Sequence, residues 1–409
     1  MKNQNVSRRG FMKALGVVSV GSAIGASHAG AQPQSPSTNT ASDGAPATVP
    51  TRTFGKTGEK VSMLSLGGIF DITTNQLVLQ RALDFGVTYW DTAASYSNGN
   101  SEKGIGMFLE KNPSVRKKIF LVTKVGGAHT ADRLNASLTE SLQRMKTDYV
   151  DLFFLHGPRG AEEFTPEVKA WAEQAKASKK IRFFGFSTHG NMEGSLQAAA
   201  KLGWIDGIML KYDYRLMQTD AMRAAMDACT KAGVGLTAMK TQGGGPLKVE
   251  NEADLKLGGH FVQRGFTEQQ AKLKAVWENP QIAAICSQMP NIAFLSANVA
   301  ASLDKTKLTA ADHSALQRYA ADTCTRYCDG CTQICEGALG RQVHVADVMR
   351  SLMYQHTYGD EALARETLAK LPAAMRANLA GLDYSAAERV CPNRLPIAQL
   401  MRQAGALLT

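Results

Sequence analysis

From Met63 to Cys286 the sequence repeats one alternation, a short apolar run followed by an amphipathic stretch. The runs are Met63–Leu66, Val87–Asp91, Ile119–Val125, Tyr149–Leu155, Phe183–Phe186, Gly207–Lys211, Gly233–Met239 and Ile282–Cys286. Each is rich in Val, Ile, Leu or Phe without polar alternation, the pattern of parallel strands covered on both faces. In the intervening stretches Leu134, Leu138, Leu142 and Met145 share one helical face that ends near Lys146. A second helix is expected from Asp220 to Lys231, stopped by Gly233. Eight strand–helix units within about 240 residues fit an α/β chain folded as a (β/α)8 TIM barrel, whose usual size is ~250 residues. A doubly wound open sheet is the rival arrangement. The first strand leads into Gly67-Gly68-Ile69-Phe70, which lacks the third glycine of the G-x-G-x-x-G turn such sheets use. A β-hairpin turned at Lys56-Thr57-Gly58 is expected ahead of the first barrel strand.

The barrel takes residues 51–300 of 409, leaving a leader and a tail. Residues 1–31 join a basic start (Arg8, Arg9, Lys13), a short apolar run (Ala14 to Ala26) and Ala29-Gly30-Ala31, the parts of an export signal. The paired arginines followed by Phe11-Met12-Lys13 resemble the bacterial twin-arginine signal. That resemblance implies the twin-arginine export machinery as a partner and a periplasmic protein exported already folded. Residues 32–50, rich in Pro, Ser, Thr and Ala, read as a linker. The formal charge is +10, but four cations and no acid lie in residues 1–31. The remaining cations form no long run and no nucleic-acid module, so no nucleic-acid partner is expected. No segment reaches the ~20 apolar residues of a membrane span, so the chain is not expected to be membrane-embedded.

Catalytic groups of a barrel gather at the C-terminal strand ends and the loops after them. Those positions hold Asp91, Tyr96 in the following loop, Lys124 and His156. Taken singly, each also fits a structural ion pair at the rim. As a set they suit carbonyl chemistry. Hydride addition leaves negative charge on the carbonyl oxygen, a phenol can protonate it, and an ammonium held by a carboxylate stabilises the phenolate. His156 can donate a hydrogen bond to the same oxygen. Alcohol oxidation uses these groups in reverse.

Arg52-Thr53-Phe54-Gly55-Lys56-Thr57-Gly58, Asp91-Thr92-Ala93-x-x-Tyr96, Asn100-Ser101-Glu102, Thr123-Lys124 and Asp148-Tyr149-x-Asp151-Leu152-x-x-x-His156 together resemble the aldo-keto reductase family over about residues 51–300. The resemblance implies a catalytic tetrad of Asp91, Tyr96, Lys124 and His156, a carbonyl or alcohol substrate, and NADP or NAD held tightly. It also implies Ser187 at the nicotinamide carboxamide, Tyr212 stacked on the nicotinamide and Asn298 near the adenine. Met209 stands where the family commonly has Gln, and Ser287 to Phe294 carries no cation for a cofactor phosphate. The Gly-rich segment Thr241–Phe266 reads equally as a lid over a retained cofactor and as an ordinary loop.

The tail, residues 301–409, crowds four of the seven cysteines into Cys324-x3-Cys328-x2-Cys331-x3-Cys335 and adds Cys391-Pro392. Cys229 and Cys286 read as buried small apolar residues. An iron–sulfur cluster, zinc and disulfides are all compatible with the crowding. Helices are expected at Val345–Tyr354, Glu361–Ala369 and Ile397–Leu407, and the whole resembles the ferredoxin-like extension of iron–sulfur aldo-keto reductases. That resemblance implies a 4Fe-4S cluster, fed by a periplasmic electron donor, that recharges the cofactor. Crossed ligation as in two-cluster ferredoxins then implies Cys324, Cys328, Cys331 and Cys391 as its ligands, with Cys335 spare. The reading in the other class is a non-catalytic electron-transfer or binding protein on a degenerate barrel.

Overall fold

The computed structural model describes residues 47–127, 129–243, 247 and 252–407. The expected export signal, and the expected linker as far as residue 46, lie outside the described residues. The end of that linker is packed rather than loose: Val49 is buried in the core, and its N–H donates to Phe85 O at 2.9 Å.

The hairpin forms first, from β1 (Thr51–Thr53) and β2 (Lys60–Ser62), paired antiparallel about a 3-10 turn. Eight strands follow: β3 (Leu64–Gly67), β4 (Tyr89–Asp91), β5 (Phe120–Val125), β6 (Val150–His156), β7 (Ile181–Thr188), β8 (Gly207–Lys211), β9 (Gly235–Met239) and β10 (Ile282–Gln288). They close into a barrel in the order β10-β3-β4-β5-β6-β7-β8-β9, every pair parallel. Each apolar run of the sequence is thus a barrel strand, displaced by at most two residues at either end.

Helices return the chain from each strand end to the start of the next. Ala131–Met145 and Asp220–Lys231 match the expected helices, and Lys146 closes the first in a left-handed cap. Thr130, Thr165 and Thr219 each cap a helix by accepting a hydrogen bond from a first-turn N–H. The segment Thr241–Phe266 is not loop throughout, since Glu252–Val262 is helical. Leu247, from the same segment, is buried among the C-terminal helices.

Strand alternation sorts the side chains. Leu152, Phe154, Met209 and Met239 turn into the barrel, while Phe153, Leu155, Ile208 and Leu210 face the helices. The hairpin plugs the N-terminal end with Phe54, fully buried against Gly207 and Gly235. Arg52 ties it down by donating to the carbonyls of Trp277 (2.6 Å), Asn279 (3.0 Å) and Ile282 (2.7 Å). With the barrel interior closed at that end, it opens at the C-terminal mouth.

After the last barrel helix, Ile292–Leu303, the chain runs through Ala310–Asp322, Thr332–Ala338, Val345–Met353, Glu361–Ala369, Ala373–Asn378, Ser385–Val390 and Ile397–Gly405. From Thr332 onward the tail shares a core that includes Val348, Leu352, Leu368, Tyr384, Ile397 and Leu400. Tail and barrel belong to one compact unit. The cysteine loop lies on the barrel mouth: Asn191 N–H donates to Gly330 O at 2.8 Å. Gly330 has φ +76°, and a Cβ there would stand 2.1 Å from His189 O, so only glycine permits the approach. Among the described residues no helix is long and apolar enough to cross a membrane.

Candidate active site

β4 ends at Asp91, β5 carries Lys124 next to its end, and β6 ends at His156, so three neighbouring strands deliver three ionisable side chains to the mouth. Lys124 Nζ donates to Asp91 Oδ2 at 2.6 Å, to Thr92 O at 2.9 Å and to Tyr96 Oη at 3.4 Å. The pair is almost sealed from water, with side-chain exposures of 1% for Lys124 and 2% for Asp91. Tyr96 and His156 meet edge to face, ring centroids 5.7 Å apart. The four residues expected from the sequence are therefore one cluster.

Tyr96 owes its aim to an unusual backbone. Ser97, Asn98 and Gly99 follow it with φ of 48°, 53° and 85°, three left-handed residues in a row. Such a conformation costs about 1–2 kcal/mol at each non-glycine position, so the surroundings must hold it. Asn100 donates to Asp71 at 2.8 Å and Ser101 Oγ to Gly68 O at 2.6 Å. Fully buried Glu102 accepts from Arg144 at 2.6 Å and from Thr123 at 2.5 Å. Asn100-Ser101-Glu102 is thus a buttress under the tyrosine loop.

Burial pushes the Asp91 carboxyl up, against the pull of the Lys124 ammonium. It also pushes Tyr96 well above the ordinary phenol range, with Asp91 adding to the effect. The ammonium is committed to Asp91 at 2.6 Å and stands 3.4 Å from the phenol, so desolvation wins. His156 is held well below the usual imidazole range by burial, then by Lys124, Lys370 and Arg350, and is neutral at neutral pH.

Ser187 pairs in register with His156; its hydroxyl is buried and has no hydrogen-bond partner among the described residues. An orphaned hydroxyl at the mouth fits a carboxamide. Tyr212 is not at the mouth. Its hydroxyl accepts from Asn279 at 2.8 Å and its ring lies in the outer core, because it follows inward-facing Met209 by three residues and strand alternation turns it away. Asn298 donates to Ser287 Oγ at 3.0 Å, on the first turns of the helix after β10.

The cysteines group differently from expectation. Cys328, Cys331, Cys335 and Cys391 lie close enough to act on one another electrostatically, and their mutual repulsion adds to burial in raising the thiols of Cys328, Cys331 and Cys335. Cys331 and Cys335 are four residues apart, which puts them on one face of Thr332–Ala338. Asn393 staples the Cys391 loop to theirs, donating at 2.8 Å to both Tyr327 O and Asp329. Cys324 opens the preceding 3-10 turn, Cys324–Arg326. Cys328, Cys331 and Cys391 of the expected set share this neighbourhood with Cys335, which the crossed arrangement leaves spare. No group of three or more His, Cys, Asp or Glu among the described residues is gathered closely enough for a single metal ion.

Cys286 is not merely a packing residue, since its half-buried thiol lies 3.5 Å from Asp91 Oδ2. Sequence reasoning also passed over Lys211, which ends β8, and Lys240, which directly follows β9, both at the mouth. The rule that found Lys124 and His156, an ionisable residue closing an apolar run, applies to both.

The sequence profile of the aldo/keto reductase family matches residues 65–315. Aldo-keto reductase AFTS1 of Alternaria alternata is 28% identical over 241 residues, 47% of this chain and 65% of its own length. D-threo-aldose 1-dehydrogenase of a Pseudomonas species is 26% identical over 241 residues, 51% of this chain and 69% of its own. The chain thus spans about two thirds of the length of these relatives. Among solved structures, the thermostable aldo-keto reductase Tm1743 is 25% identical with a TM-score of 0.55, covering 66% of this chain and 99% of its own. An aldo/keto reductase of Klebsiella pneumoniae, solved with NADP and acetate, shares the fold at 24% identity and a TM-score of 0.54, over 66% of this chain and 94% of its own. With the profile match laid over a closed barrel that carries the expected cluster at its mouth, the chain belongs to the aldo/keto reductase family of oxidoreductases.

Proposed function

We propose that the protein interconverts a carbonyl and an alcohol on a small organic substrate, using a nicotinamide dinucleotide held at the barrel mouth. The observation that carries this reading is the buried Asp91–Lys124 pair beneath the Tyr96 hydroxyl, with His156 edge-on to the phenol. When bound, the nicotinamide supplies or accepts the hydride at the substrate carbon. Tyr96 gives its proton to the carbonyl oxygen as negative charge develops there. Because its pKa is raised, it enters the reaction protonated across the neutral range. Neutral His156 donates an N–H to the same oxygen, and Lys124 fixes the phenol's position. The orphaned Ser187 hydroxyl is the natural donor to the carboxamide, and Asn298 supports the adenine side. The Klebsiella pneumoniae relative holds NADP, which makes NADP the first nucleotide to test. Denaturing the purified protein and weighing the released small molecules tests the reading. No nucleotide released, and none taken up on re-addition, overturns it.

The same proposal extends to the tail. Four thiols gathered at Cys328, Cys331, Cys335 and Cys391 suit a 4Fe-4S cluster, which takes one thiolate on each iron and so keeps the sulfurs apart. Such a cluster passes single electrons, and its position beside the barrel mouth suits exchange between an external donor and a retained cofactor. Folded export by the twin-arginine route to the periplasm, with both groups loaded beforehand, follows from Arg8-Arg9 and the Ala29-Gly30-Ala31 site. Iron analysis of the exported protein, with N-terminal sequencing of the mature chain, checks this extension.

A further inference from the structure

The catalytic cluster does not account for two cations that overhang it. Lys240 follows β9 directly, with a left-handed backbone (φ 58°), so its side chain leaves the strand at the mouth. Its Nζ donates to Tyr358 Oη at 3.0 Å and lies 4.9 Å and 4.7 Å from the ring centroids of Tyr354 and Tyr358. Among the described residues no carboxylate pairs with it. Arg350 comes from the tail helix Val345–Met353, which the same two tyrosines continue as one π-helical turn. It reaches Asp347 at 2.9 Å, but Asp347 is shared with Arg159 at 3.2 Å. Asp347 is thus divided between two guanidiniums.

Three other cations near the mouth have carboxylate partners. Lys124 has Asp91 at 2.6 Å, Lys211 has Asp329 at 3.5 Å and Lys370 has Glu366 at 2.7 Å. Lys240 has no carboxylate partner among the described residues, Arg350 shares its own, and both sit within electrostatic reach of Tyr96. The imidazoles register the field. Burial and then cations, Arg350 among them, hold both His156 and His189 well below their ordinary range. Uncompensated cations that are half-buried beside a proton donor, and still reachable from solvent, form an anion site.

Building on the proposed carbonyl chemistry, we propose that Lys240 and Arg350 bind a carboxylate on the substrate, so that the substrate class is oxo acids and the matching hydroxy acids. The planar fork of Arg350 suits a two-oxygen anion, and Lys240 adds a point charge from the opposite, barrel side. In the reductive direction hydride adds to the carbonyl carbon, the C=O π pair goes to oxygen, and Tyr96 supplies the proton. The carboxylate is unchanged and holds the carbonyl against Tyr96 and His156. The tail is then part of the substrate pocket.

The test compares an oxo acid with its methyl ester, using the full-length protein, NADPH and the variants Lys240→Gln and Arg350→Leu. Gln keeps a donor for Tyr358, and removing Arg350 leaves Asp347 paired with Arg159, so both variants are expected to fold. Wild type should favour the acid in kcat/KM, and each variant should cut the acid-to-ester ratio by about ten- to a hundredfold, chiefly through KM. An unchanged ratio, or equal loss on both substrates, overturns the proposal. Weakened NADPH affinity with an unchanged ratio overturns it too, because the cations would then serve the dinucleotide phosphates. If wild type reduces neither substrate, the carbonyl reading fails separately. Calorimetric binding of the hydroxy acid then decides: binding lost in Lys240→Gln keeps the anion site, and binding equal in both forms, or absent from both, removes it.

Discussion

Replacing Asp91 by Asn strips the carboxylate from an ammonium that water scarcely reaches, since Lys124 is 1% exposed. At the 2.6 Å separation of the pair, Coulomb attraction amounts to about 6 kcal/mol at an effective dielectric of about 20. Most of that offsets the desolvation of two ions, so the intact pair adds little net stability. Breaking it is different, because one charge stays behind without its partner. Each of Asp91→Asn and Lys124→Met is expected to cost about 3–5 kcal/mol. The double variant should cost less than the sum of the two by about 2–3 kcal/mol. The assay is urea unfolding followed by circular dichroism at one pH. Acidification supplies an internal check. In Lys124→Met the buried Asp91 has no cation, so its folded pKa lies above the unfolded value and the folded state holds the proton more tightly. Its penalty should therefore shrink as the pH is lowered from about 7 to about 4 and return as the pH rises. Additive single costs, or a penalty that grows on acidification, would refute the buried-pair argument.

Tyr96→Phe should lower turnover by about 10²–10⁴ while leaving nucleotide binding intact, as measured by single-turnover kinetics beside a binding titration. Because burial and Asp91 hold the phenol above its ordinary range, carbonyl reduction should show no loss from Tyr96 ionisation across neutral pH. Alcohol oxidation, which needs the phenolate, should keep rising with pH through and beyond pH 9. A plateau in oxidation below about pH 8 would contradict this sign. In the tail, Cys335→Ala and Cys391→Ala should lose bound iron and its visible absorbance while Cys324→Ala keeps both. The opposite pattern at positions 324 and 335 would restore the crossed arrangement. Ser187→Ala should weaken nucleotide binding by about five- to tenfold without changing urea stability, because its hydroxyl has no partner to lose.

The barrel was legible because parallel strands buried on both faces must be apolar throughout, and eight such runs leave few alternatives. The catalytic cluster was legible for the converse reason: Asp91, Lys124 and His156 interrupt that apolarity where a strand meets the mouth. Lys240 and Lys211 obey the same rule, and their signal was present. Strand alternation, carried one residue past Lys211, places Tyr212 outside the barrel, which the family resemblance had masked. Helix Glu252–Val262 was hidden by the glycines near it, whose propensity its contacts override. Two features could not be read from local pattern at all. Nothing in the sequence says that Arg350 and Tyr354 dock on the mouth, since that contact joins residues over a hundred positions from Lys240. That Cys335 lies near Cys328 and Cys331 depends on the reversal at left-handed Gly330 and on the helix that follows it.

The central claim is hydride transfer at this mouth, and an isotope follows it directly. The wild-type protein and Tyr96→Phe are supplied with NADPH deuterated at the transferable position of its nicotinamide and with a panel of oxo acids and neutral carbonyls. The products are analysed by mass spectrometry and NMR. The account predicts one deuterium at the former carbonyl carbon of at least one product, formed by wild type and suppressed in Tyr96→Phe although that variant still binds the nucleotide. Nucleotide binding with no deuterium transferred to any carbonyl, or transfer undiminished without the Tyr96 hydroxyl, would contradict it.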